Sequence, residues 1–208
     1  MLIHSRIAAS DVNGPGTRAV IWVQGCAGMD CPGCWNKDTH AFDIHREVDI
    51  FEMTDWVAGL DGIEGVTFSG GEPMQQAPSL HFLMNRIKSR RPDLSIGMFT
   101  GYTRKELEEG RFEWRSAYDG KWIAGATELW RKVQSYLDFA ITGRYNQRLQ
   151  TSTQPLCGSA NQQVIFFTQR YSGKDLKPQT VEFTIDDDAL VQITGFPVGM
   201  HEEITNVS

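Results

Sequence analysis

Three of the chain's four cysteines, Cys26, Cys31 and Cys34, fall within nine residues of "QGCAGMDCPGCWN" (24–36). Thiols crowded in this way into a chain of 208 residues argue for metal or redox chemistry rather than a disulfide framework, provided the compartment is reducing. The spacing C-x4-C-x2-C suits a cubane [4Fe-4S] cluster held at three corners. A cluster used only for electron transfer would normally have four cysteine ligands, so the missing one leaves an iron open to bind a small molecule. Gly25, Gly28, Pro32 and Gly33 let the backbone fold tightly around such a centre. The rival reading is a structural Cys3His zinc site completed by His40 or His45.

A second unusual loop is "SGGEP" (69–73). Gly70 and Gly71 end a strand without side chains and expose backbone polar groups, and Glu72 adds a charge beside them. That combination suits the amino-acid end of a ligand. Alone, Gly-Gly before Pro is an ordinary turn. Paired with a three-cysteine loop it is far more specific.

Both loops need elements to hold them. "RAVIWVQ" (18–24), "GVTFS" (65–69), "LSIGMFT" (94–100), "YLDFAIT" (136–142) and "QVIFF" (163–167) are apolar, β-rich runs expected to be buried strands. Between them, Ile50, Met53, Val57 and Leu60, and then Leu80, Leu83, Met84 and Ile87, recur at helical spacing, while Thr103 with Glu106 is a capping-box signal for a third helix. This alternation predicts a mostly parallel α/β sheet or partial barrel. In such folds functional loops gather at the carboxyl ends of the strands, which places the two unusual loops on one rim. "VEFTIDDDALVQITGFP" (181–197) reads as a β-hairpin around an acidic turn, on an edge of the domain.

Composition narrows the function class. With 40% hydrophobic and 22% charged residues and no long apolar run, the chain reads as one soluble domain without a membrane span. "MLIHSRIAASDVNG" lacks the apolar core of a secretory signal, so a cytoplasmic location is expected. A net charge of -6 argues against nucleic acid as a partner. "KSRRP" and "WRK" read as solvated helix ends. No internal repeat or dividing linker is seen.

Taken together, "NGPGTRAVIWVQGC", "CPGCWN", "FSGGEPMQQ", "MFTGYTRKEL", "LDFAITGRYN" and "GSANQQVI" resemble, in order, the radical SAM superfamily, and within it the small activating enzymes of glycyl-radical proteins, most like the anaerobic ribonucleotide reductase-activating type. The resemblance implies a partial (β/α) barrel of mostly parallel strands as a radical SAM core at about 10–170, with a C-terminal β extension at about 175–208, in a single domain. It implies that Cys26, Cys31 and Cys34 ligate the cluster and that S-adenosylmethionine chelates its open iron. Gly70, Gly71 and Glu72 would then hold the cofactor's amino end, with Gly33, Cys34 and the Trp35 ring near its nucleoside and Thr100 with Gly101 lining the same cavity. The implied reaction is reductive cleavage to a 5′-deoxyadenosyl radical that takes hydrogen from a glycine of a partner glycyl-radical enzyme. Anaerobic ribonucleotide reductase is the expected partner, and a flavodoxin or ferredoxin the expected electron donor. A peptide or small metabolite is the alternative substrate. No acid–base catalytic residue is required, because the cofactor carries the chemistry. The family usually spaces its cysteines C-x3-C-x2-C, and Gly28 is expected to absorb the extra residue of "CAGMDC".

Other residues receive plainer readings. Cys157 is expected to be a small buried hydrophobe, Trp56 and Trp130 core residues, and Asp186 to Asp188 a solvated turn. Arg18 is read as a brace for the cysteine loop or a salt-bridge partner.

Overall fold

In the computed structural model the described residues are 1–42, 47–185 and 191–196. A central sheet is built from β1 (Ile3–Ser10), β2 (Arg18–Val23), β3 (Gly65–Gly70), β4 (Ser95–Thr100), β7 (Phe139–Thr142) and β8 (Gln163–Phe166), in the order β1-β2-β3-β4-β7-β8. The inner pairings β2–β3, β3–β4 and β4–β7 are parallel, and the two edge pairings are antiparallel. The fold is therefore mixed α/β around a mostly parallel sheet. Among the described residues the sheet is open at β1 and β8, so the expected curvature into a barrel is not seen as closure.

The strands expected from the sequence form, because a parallel strand covered on both faces reads as a continuous apolar run. β2 is buried at all of its positions. β8 departs from expectation: it runs antiparallel and is only partly buried, as an edge strand. Four helices supply the layer on one face: α1 (Ile50–Ala58), α2 (Ala77–Arg90), α3 (Arg104–Glu108) and α4 (Thr127–Gln134). Asp49 caps α1 through its carboxylate, and the Thr103–Glu106 capping box opens α3 as the sequence predicts. Their apolar residues join Ala19, Ile21, Val66, Phe68, Ile96 and Met98 in one core. Trp130 lies within it, and Trp56 packs against its edge with the Arg6 guanidinium 4.8 Å above the ring. No helix among the described residues is long and apolar enough to cross a membrane.

Alternation along each strand sends the neighbouring residues to the opposite face. Val20, Trp22, Phe139 and Ile141 belong to two smaller apolar clusters there, the second of which contains Cys157, buried as expected. Arg18, at the start of β2, is fully buried and donates to Thr67 Oγ1 (2.7 Å), Ser95 Oγ (2.7 Å) and the carbonyls of Pro15 and Val66 (3.0 Å each). It therefore braces the strand ends remote from the cysteine loop, and its partners are neutral oxygens rather than a carboxylate. Desolvation lowers its pKa, and each of these hydrogen bonds answers that burial.

Two further strand pairs are found among the described residues. β5 (Glu113–Arg115) and β6 (Trp122–Ala124) form a short hairpin beside the 3-10 turn Pro73–Gln76. β9 (Val181–Ile185) and β10 (Val191–Gly195) form the expected C-terminal hairpin, but as a separate two-stranded sheet. Among the described residues it pairs with no strand of the main sheet. It sits over the face opposite the four helices, where Asn13 Nδ2 donates to Thr194 Oγ1 at 2.9 Å and the Phe196 ring lies 6.3 Å from that of Phe99. The acidic turn, Asp186 to Asp188, and His45 lie outside the described residues.

Candidate metal centre and adjoining cavity

The cysteine loop leaves the carboxyl end of β2 and is fixed by main-chain bonds to the segment that follows it. Gly25 N–H donates to Thr39 O (2.7 Å) and Cys26 N–H to His40 O (2.9 Å), so His40 meets the loop through its carbonyl oxygen. Gly28 adopts φ +69 with open space where a Cβ would stand, and Asp30 adopts φ 39. Two left-handed residues in the longer first interval give the chain room to absorb the extra residue there. Gly33 turns at φ +73, and Cys34 N–H donates back to Cys31 O at 3.1 Å.

All three thiols are free and half-buried. Burial pushes Cys26 up to about 12, and the nearby Glu72, Cys34 and Cys31 add to the rise. Burial also raises Cys31 and Cys34, eased by a backbone hydrogen bond from Tyr145 and the Arg144 charge at Cys31, and by one from Asn36 at Cys34. Thiols that raise one another's pKa are close enough to repel as thiolates, and a multivalent cationic centre is what relieves that repulsion. Among the described residues no three His, Cys, Asp or Glu side chains converge as ligands of one metal ion. A cubane takes each cysteine at a separate iron, and three thiols on one tightly turned loop, with His40 presenting its carbonyl oxygen there, are a donor set of that kind.

"SGGEP" is the seam on which this loop rests. Gly71 N–H donates to Val23 O and Glu72 N–H to Gly25 O, both at 2.8 Å. A Cβ on Gly71 would stand 2.3 Å from Gly25 O, and one on Gly70, at φ +102, 2.6 Å from Val23 N. Both glycines are needed because backbone lies on backbone. The expected exposed main-chain shelf is thus partly occupied by the loop itself. Glu72, 1% exposed, accepts from Met74 N–H (2.8 Å), Thr100 Oγ1 (2.8 Å) and Gly101 N–H (2.7 Å), tying the end of β3 to that of β4.

Two residues that the sequence offered no reason to single out complete the clamp. Gln75 reads both polar groups of Ala27, accepting from its N–H (2.8 Å) and donating to its O (2.7 Å), and Gln76 Nε2 donates to Gln24 O at 2.9 Å. Their side chains are buried, which is visible only once the loop is seen to fold back over the 3-10 turn.

Burial is also the largest influence on Glu72, raising its carboxyl to about 7 against the three hydrogen-bond donors. A carboxyl raised in the folded state contributes stability that is complete below its unfolded pKa of about 4.3 and is lost as pH rises through the folded value. The unfolding free energy of the cluster-free protein is therefore expected to fall by about 3 kcal/mol between about pH 4.3 and 7, read as a lower thermal unfolding temperature. Glu72→Gln should flatten that dependence; a mutant curve that keeps the wild-type slope would contradict the assignment.

Beside the loop lies a cavity of about 450 Å³, within the range of small-molecule sites. Cys34 and Trp35 line it together with Ser69, Phe99 and Tyr145, and the hairpin supplies 193–196. The structure thus brings Cys34 and Trp35 to the cavity, with Trp35 38% exposed. Gly70, Gly71, Glu72 and Thr100 lie outside its lining, beneath the cysteine loop, where Glu72 and Cys26 sense each other. Cys157 lies in the apolar cluster with Phe139, Ile141, Leu156 and Tyr171, pushed up to about 11 by burial alone.

Residues 12–165 match the family model described as a 4Fe-4S single cluster domain. The chain belongs to the 4Fe-4S single cluster family. Within it the chain is homologous to proteins named anaerobic ribonucleoside-triphosphate reductase-activating protein. It is 31% identical to that of Vibrio cholerae over 176 residues, covering 81% of this chain and 99% of the relative. It is 29% identical to that of Salmonella typhi, over 79% of this chain and 97% of the relative. The counterpart from Enterobacteria phage T4 is 28% identical over 71% of this chain and 84% of its own length. The family match ends at residue 165, so β9 and β10 lie beyond it.

Proposed function

We propose that this chain is a radical SAM activase that leaves a stored radical on a glycine of an anaerobic ribonucleotide reductase. The observation that carries the reading is the set of three free, half-buried thiols in a loop seamed to "GGEP", with the fourth cysteine buried elsewhere. The homologues' names and the family match support it. On this reading the mostly parallel sheet is the radical SAM core, opened as a partial barrel.

Cys26, Cys31 and Cys34 would hold a [4Fe-4S] cluster, which when bound would supply the electron for the reductive cleavage of S-adenosylmethionine. The chain's own residues bind and orient. Because Gly71 N–H is committed to Val23 O at the end of β2 and Glu72 N–H to Gly25 O in the cysteine loop, what they leave for an ammonium group is acceptor capacity, chiefly the Glu72 carboxyl oxygens. Met29 overhangs this point, its sulfur 2.5 Å from a Cβ placed on Gly101, and the flexible thioether has to swing aside for a ligand to reach Glu72. Cys34 and Trp35 present the cavity side to the nucleoside. At the glycine, the Cα–H bond breaks and the hydrogen atom ends on the 5′ carbon, so no side chain has to carry a proton. The reductant is of the flavodoxin or ferredoxin class, and the chain works in the cytoplasm.

The test is isotopic. Reconstituted, reduced protein is mixed with S-adenosylmethionine and an anaerobic ribonucleotide reductase labelled with deuterated glycine. Deuterium recovered in 5′-deoxyadenosine is expected. Label arriving from a peptide or metabolite instead, with none from the reductase, would overturn the activase reading.

A further inference from the structure

The cavity beside Cys34 has a wall that the family match does not include. Residues 193–196 of β10 and its exit line it, yet they lie beyond residue 165, where that match ends. Among the described residues no acidic or basic side chain lines the cavity. Its surface is aromatic and amide in character, with Trp22, Phe99 and Phe196 on the one hand and Asn13 and Gln162 on the other. Such a chamber suits a neutral heteroaromatic group with hydrogen-bonding edges, such as a nucleoside, and repels an isolated charge.

The hairpin is seated by a polar chain that begins in the floor of the sheet. Arg18 Nε donates to Thr67 Oγ1 (2.7 Å), which donates to Asn13 O (2.9 Å). The Asn13 carboxamide in turn donates to Ser10 Oγ and to Thr194 Oγ1, both at 2.9 Å, and Asn13, Ser10 and Thr194 are all buried. One residue beyond Gly195, Phe196 N–H donates to Thr180 O at 3.0 Å and its ring meets Phe99. Gln179 Nε2, just before β9, donates to Gln154 O at 2.7 Å and also to Cys157 O. A hairpin that only capped an edge would not need this buried latch.

We propose that the C-terminal hairpin is a cofactor-confining wall, in which Thr194 is the latch and Phe196 the contact that encloses the neutral nucleoside end of the cofactor next to Cys34. This rests on the radical SAM reading above. Its consequence is that Phe196 is a binding residue and Thr194 a positioning residue supplied by a segment outside the family-matched core.

The test measures the affinity of the anaerobically reconstituted full chain for S-adenosylmethionine by equilibrium dialysis, without partner or reductant. Thr194→Val and Phe196→Ala are each expected to raise Kd by about 10-fold, and Thr194→Ser to restore wild-type affinity. Val191→Ala, at a hairpin side chain 59% exposed and outside the cavity lining, is the control and should bind as wild type. Unchanged affinity in both Thr194→Val and Phe196→Ala would overturn the wall, as would an equal loss in Val191→Ala, which would mark general damage to the hairpin. Failure of the wild type itself to bind would overturn the radical SAM reading first, and this inference with it.

Discussion

Cys34→Ser abolishes cluster assembly: after anaerobic reconstitution its bound iron and sulfide fall by more than about 10-fold, since even partners outside the ligand shell are worth 10- to 100-fold in metal affinity. Cys26→Ser and Cys31→Ser are expected to behave alike, because on the proposed reading each cysteine would serve one corner and the loop holds no spare thiol. Cys157→Ala is the contrasting case. Its thiol is packed with Phe139, Ile141, Leu156 and Tyr171, so the substitution costs about 1 kcal/mol of stability by leaving a small void and leaves iron binding intact. Iron and sulfide analysis of the four variants checks this; loss of cluster in Cys157→Ala, or its retention in any loop variant, would contradict the assignment.

Gly71→Ala has the next largest effect, for a geometric reason. Its added methyl would stand 2.3 Å from Gly25 O, a backbone atom that cannot rotate away. Relief requires the seam to open, breaking Gly71 N–H to Val23 O and Glu72 N–H to Gly25 O and carrying the cysteine loop with them. Overpacking of this kind costs about 1–3 kcal/mol even in side-chain cores, and here the strain falls on the loop that bears the ligands. The variant is expected to lose at least about 2 kcal/mol by denaturant unfolding and most of its capacity to hold iron. Gly62→Ala provides the comparison: it has φ +72 but open space around the added carbon, so only the left-handed strain of about 1–2 kcal/mol applies and cluster loading is untouched. Equal iron content in Gly71→Ala and wild type would refute the seam.

How much of this was legible depends on how local the cause is. β2, β3 and β4 could be read because a strand buried on both faces needs an unbroken apolar run, and α1 and α2 because their apolar positions recur at 3.6 residues. β1 escaped notice because two register irregularities break its alternation, leaving Ile3, Ile7 and Ser10 as its buried positions. α4 is short, and Trp130 and Val133 are the side chains it buries, too few to set a period. The chemical residues were legible as types and spacings. The spatial relations among them were not. Nothing local reveals that Gln75 and Gln76 hold the main chain of the cysteine loop, or that Glu72 lies under the loop rather than in the cavity. The hairpin was readable as a hairpin, but its seat depends on Asn13 and Thr194, 181 residues apart.

The most direct measurement of the central claim is the yield of 5′-deoxyadenosine and methionine when dithionite is added, without air, to the iron-loaded protein and S-adenosylmethionine. Equal amounts of both products, absent in Cys34→Ser, are predicted. A fully loaded protein that leaves S-adenosylmethionine intact would contradict the account.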